Sequence, residues 1–259
     1  MRVKEKNRKN PHNELREPPA PAAAKPPRAG RGVPRWALVP AAFALIPFSA
    51  ALLLAVCAAE NELGADAPLA LSPASLMFAA GAMVSTLLCA AFRNFSLPYI
   101  FAHELTHAIF GRLSGAKVSG LTLARYGGKV SISKSNIMIL LSPYFVPFYA
   151  FLLVLIYSPL SLFAPMSGTV LGRAYVLFIG LAWTHHFWWT VVAFCQPQHD
   201  FKEYGRFFSV NLILFANLLT LFLLFGMFSP MPWGRLFAIA GRETVSIFRW
   251  IFATLGAVF

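Results

Sequence analysis

The chain has 259 residues, of which 58% are hydrophobic and only 12% charged, and its mean hydropathy is +0.62. A soluble domain averages nearer a quarter charged residues, so the composition excludes an ordinary soluble enzyme and predicts an integral membrane protein, with room for about six or seven crossings of roughly 20 residues each. The net charge is +12, and the three cysteines, Cys57, Cys89 and Cys195, all fall in apolar sequence and imply no disulfide framework.

Residues 1–35 hold ten Lys/Arg against three Glu, with seven prolines. That is the composition of a solvated tail with no core to bury, and it predicts a disordered basic tail held in the cytosol by the positive-inside rule, touching anionic lipid. No aromatic precedes Trp36 to stack a base, which argues against a nucleic-acid-binding arm. Residues 36–230 read as the transmembrane core and 231–259 as a C-terminal interfacial or transmembrane helix, interrupted by Arg235, Arg242, Glu243 and Arg249. Within the core, apolar runs at 36–59, 73–92, 137–157, 170–195 and 207–228 are long enough to span. A sixth segment, 97–112, is about 24 Å long as a helix, short of the roughly 30 Å hydrocarbon core.

Charge orders these segments. The loop after the first span carries Glu60, Glu62 and Asp66 and no Lys/Arg, which places it outside, while Arg112, Lys117, Arg125, Lys129 and Lys134 belong inside. Both conditions hold if the backbone breaks at 93–96, Pro98 starts a short helix, and that helix dips in and returns, or if 73–112 is one broken crossing. Val118, Leu121, Leu123, then Gly127 and Gly128, then Val130 and Ile132 predict two short strands about a glycine turn. Their exposed edge could take an unwound peptide as an added strand. The expected fold is thus an all-α polytopic membrane protein of about six membrane segments, with a small β-hairpin after the short helix.

That short helix contains His103, Glu104, Leu105, Thr106 and His107. Positions i and i+4 lie on one helix face, so both imidazoles can bind one Zn²⁺ while the glutamate beside them polarises the attacking water. A chance match, or histidines that hydrogen-bond structurally, is the plainer explanation. Three ionisable groups in apolar sequence favour a site, because they cost several kcal/mol, about 2.5 or more each, unless they bind something.

A catalytic zinc usually takes three protein ligands. Between Asp66 and Glu243 the only acids are Glu104, Asp200 and Glu203. Asp200 ends Gln196-Pro197-Gln198-His199-Asp200, on the expected side, and is the first candidate; a helix-capping aspartate is its plainer reading. His185 and His186 lie mid-span, where either could be a ligand, a second-sphere donor, an oxyanion partner or an ordinary interhelical hydrogen bond.

His103, Glu104 and His107 in an apolar helix, Ala108, then Gly115, Lys117 and Val118 leading into a glycine-bearing β-loop, and a later span ending in a Pro-containing stretch with an aspartate together resemble the site-2 protease family of intramembrane zinc metalloproteases. The resemblance covers residues 97–200. It departs at Thr106, where many members have Gly, and around Asp200, where many have Asp-Gly. It implies that His103, His107 and Asp200 bind zinc and that Glu104 is the base. It further implies cleavage in or near a transmembrane segment of a membrane-protein substrate, single-span or signalling, in a bacterial cytoplasmic membrane. A metal-binding scaffold without activity, or a metal or proton transporter, would use the same residue types; a transporter usually carries internal repeats, and no second copy of the motif occurs.

Overall fold

The computed structural model describes residues 34–64, 72–124, 127–163, 166 and 168–258. Residues 1–33 of the basic tail, Asp66 and Arg125 lie outside the described residues. The chain is mostly helical: a 3₁₀ turn Arg35–Leu38, then α1 Val39–Leu63, α2 Pro73–Ala91, a second 3₁₀ turn Arg93–Ser96, and α3 Leu97–Leu113. Strands β1 Val118–Ala124 and β2 Gly127–Ile132 follow, then α4 Ile137–Phe145, α5 Phe148–Phe163, α6 Val170–Phe194, α7 Asp200–Tyr204, α8 Arg206–Phe228 and α9 Trp233–Val258.

Local chemistry explains the boundaries near the motif. Ser72 caps α2, its hydroxyl accepting from the Ser75 N–H at 3.2 Å, and Pro73 opens the first turn, where its missing N–H costs nothing. Phe92 is extended and ends α2, and Pro98 in the first turn restarts the helix after 93–96. Asn136 caps α4 by accepting from the Ile139 N–H at 2.8 Å.

Among the described residues four helices are long and apolar enough to cross a membrane: Arg35–Leu63, Pro73–Ala91, Val170–Phe194 and Arg206–Phe228. The pair α4 and α5 makes a fifth if it counts as one span. The expectation of one continuous segment over 137–157 is corrected here: α4 and α5 meet at a 77° bend. The cause is Pro147, which lacks an N–H and forces the preceding Val146 out of the helical region, to φ −97°, ψ 99°.

The hairpin is antiparallel, pairing Val118 with Ile132 and Leu123 with Gly128, with an irregularity between Ser119 and Thr122. Gly120 there adopts φ +66°. Gly127 and Gly128 lie inside β2, not in the turn as expected, and the reason for Gly128 is contact with α3, described below.

α2 and α6 approach through glycine, with Gly81 against the Leu177 backbone and Gly180 against the Phe78 carbonyl, so that a Cβ at either would collide with main chain. On the other side, α1 packs between α8 and α9 through Ala55, Ala59, Phe222, Met231, Leu236 and Ile239. The buried α4 joins α6, α7 and α8 through Leu141, Tyr144, Ala193, Phe201 and Ile213.

The 3₁₀ turn Arg35–Leu38 and α7 share one end of the bundle, since Arg35 Nε donates to the Glu203 carbonyl at 3.3 Å. Ser135, after the hairpin, donates to Glu203 Oε2 at 2.8 Å. Glu62 lies at the far end of α1, about 37 Å away along a helix of this length, where it pairs with Arg235 at 2.9 Å and Arg242 at 3.5 Å of α9.

Candidate metal centre

His103 and His107 lie one turn apart on α3, their rings edge to face with centroids 4.8 Å apart. His107 Nδ1 lies 2.7 Å from the carbonyl of Ile139 in α4. That carbonyl is free because its helical partner would be the N–H of residue 143, which is proline. A carbonyl can only accept, so Nδ1 carries the proton and Nε2 presents its lone pair. This is the tautomer of a metal-ligating histidine held by an outer hydrogen bond.

His107 Nε2 faces Asp200 Oδ2 at 3.7 Å. Asp200 is the first residue of α7, a short helix anchored by the buried Phe201 against Tyr144. Tyr144 donates its hydroxyl to Asp200 Oδ2 at 2.8 Å and also lies 3.3 Å from Gln198 Oε1. Burial raises the Asp200 carboxyl, and the hydrogen bond from the Tyr144 hydroxyl opposes that by favouring the ionised form.

One ligand atom each from His103, His107 and Asp200 lie within 4.8 Å of one another. Zinc bonds of about 2.1 Å in tetrahedral geometry put ligand atoms about 3.4 Å apart, so small side-chain rotations close the set. Nδ1 of His103 is buried with no hydrogen-bond partner among the described residues, a polar atom that a ligand would satisfy. Two imidazoles and a carboxylate are a donor set that suits zinc with one open position.

Glu104 points into a cleft of about 530 Å³ lined by Tyr99, His103, Gly128, Tyr144 and Trp189 among others. The backbone of Val130 hydrogen-bonds its carboxylate. A Cβ on Gly128 would run into the Glu104 side chain, which is why β2 carries glycine at that position. The hairpin therefore forms one wall of the cleft beside the motif glutamate.

The other candidates are placed elsewhere. Nε2 of His185 donates to the Phe95 carbonyl at 2.8 Å, tying α6 to the turn before α3, and Nε2 of His186 lies 3.1 Å from the Tyr144 carbonyl. Both rings make interhelical hydrogen bonds, and neither is among the described residues that line the cleft. Glu203 is occupied by Ser135, and His199 is exposed.

Tyr144 was not singled out by sequence reasoning, nor were Thr190 and Asn217. The Tyr144 carbonyl, at the end of α4, accepts from Thr190 at 3.2 Å and Asn217 at 2.9 Å as well as from His186. Three polar side chains thus fix the residue that orients Asp200. The available signal was Pro147, which forces the preceding residue out of the helix and ends α4 just past Tyr144, leaving the last carbonyls of the helix in need of donors. No family model, curated protein or solved structure matches this chain.

Proposed function

We propose that the protein is an intramembrane zinc metalloprotease of the site-2 protease type, hydrolysing a peptide bond within or beside a transmembrane segment of a membrane-protein substrate. The observation that carries this reading is the convergence of His103, His107 and Asp200 from α3 and α7, with Glu104 beside them in an open cleft. His103, His107 and Asp200 would hold Zn²⁺, which when bound would supply Lewis acidity at the scissile carbonyl.

Each protein group then has a stated task. The Ile139 carbonyl keeps the proton of His107 on Nδ1, and the Tyr144 hydroxyl holds Asp200. Glu104 takes a proton from the attacking water as the new C–O bond forms, and delivers it to the amide nitrogen as the C–N bond breaks. The β2 edge at Gly127 and Gly128 offers backbone groups to a substrate segment that has unwound from its helix, which hydrolysis requires. The proposed orientation puts the tail, the hairpin and α7 in the cytosol and counts six membrane segments, α3 among them. It rests on Arg35, Lys117, Lys129, Lys134, Lys202 and Arg206 gathering at the end that carries the site.

Cleavage of candidate single-span proteins co-reconstituted in lipid tests the function. Wild type should cleave, and both a zinc chelator and Glu104→Gln should abolish cleavage. Chelator-insensitive cleavage, or full activity in Glu104→Gln, rules the mechanism out.

A further inference from the structure

Away from the metal centre, α1, α2 and α8 leave between them a cavity of about 440 Å³. Val56, Phe78, Leu221, Leu224 and Phe225 give it an apolar wall, and Glu60 is the charged residue among the described residues lining it. Glu60 is 8% exposed. Its carboxylate accepts from the Ser72 N–H at 2.8 Å, the Ser72 hydroxyl at 3.2 Å and the Ser75 hydroxyl, and all three donors are neutral.

No cation pairs with it among the described residues. Arg235 and Arg242, at the same end of α1, are engaged by Glu62. A carboxylate has about four acceptor sites, so one is left open. A charge withdrawn from water calls for an opposite charge. The cavity therefore joins an apolar channel to an uncompensated carboxylate, three residues before the end of a membrane-spanning helix.

We propose that this cavity binds a membrane phospholipid whose head carries a primary ammonium group, phosphatidylethanolamine, with one acyl chain along Phe78 and Leu224 and the ammonium donating to Glu60. A choline head has the charge but no N–H to donate, and an anionic glycerol head would meet the carboxylate of Glu60.

Native mass spectrometry of the full chain in an equimolar mixture of phosphatidylethanolamine, phosphatidylcholine and phosphatidylglycerol tests the assignment. Wild type should retain one phosphatidylethanolamine, favoured about tenfold or more over either competitor, the scale of one charge-assisted hydrogen bond. Glu60→Gln should still take a lipid but lose that preference, and Ala79→Phe, at an α2 residue that also lines the apolar wall, should lose retention of all three. Equal retention of the three lipids by wild type overturns the proposal without reference to any variant. An unchanged preference in Glu60→Gln, undiminished retention in Ala79→Phe, or a co-purifying protein with no lipid does the same.

Discussion

Pro143 decides which nitrogen of His107 faces Asp200: it leaves the Ile139 carbonyl without a helical donor, and that carbonyl takes the Nδ1 proton. Tyr144, the next residue, sets the other half of the site by donating to Asp200 Oδ2. Tyr144→Phe removes that donor while leaving the ring packed against His103 and Phe201, so zinc affinity should fall by about 10–100-fold with the fold intact. Competition against a chromophoric chelator measures this, and unchanged affinity would remove Tyr144 from the account. Gly128→Ala puts a methyl group into the space of Glu104 and should lower turnover by about 10²-fold or more at unchanged zinc content. Turnover equal to wild type would show that the base does not need its present position. His103, Glu104 and His107 were legible because their spacing is itself the geometry, and Asp200 because acids are so scarce. Tyr144 and Asn217 were not, since one works through a hydroxyl reaching across to another element and the other through a main-chain carbonyl, and neither leaves a spacing pattern.

At the scale of elements, the break before α3 and the hairpin after it follow from Pro98 and from the alternation of Val118, Leu121, Val130 and Ile132. The bend between α4 and α5 was missed because 137–157 is continuously apolar, and hydropathy alone does not separate one straight helix from two. Pro143→Ala returns an N–H to α4 that competes with His107 for the Ile139 carbonyl. Zinc affinity should fall by about tenfold through lost orientation of a ligand the substitution never touches, measured by the same chelator competition; affinity equal to wild type would mean that α4 does not orient His107. The same logic places α9. Its Leu236 and Ile239 are buried against α1 while Arg235 and Arg242 reach Glu62, a two-faced pattern that length and mean hydropathy do not resolve.

For the whole molecule, the charge asymmetry of the sequence becomes a spatial one. Arg35, Ser135 and α7 meet at the end that carries the site, and Glu62 sits at the other end of α1. Single cysteines at Lys117 and Lys202, in a background lacking Cys57, Cys89 and Cys195, should react with a membrane-impermeant reagent only from the cytosolic side, and one at Asn61 only from outside. The reverse pattern would invert the proposed orientation. The central claim is that three side chains from α3 and α7 hold one metal ion beside a glutamate that is not a ligand. Elemental analysis of detergent-purified protein tests it most directly. One zinc per chain is expected in wild type, Glu104→Gln and Glu203→Ala, and much less in Asp200→Ala and in the His103→Ala, His107→Ala double variant. Stoichiometric zinc in that double variant, or no zinc in wild type, would contradict it.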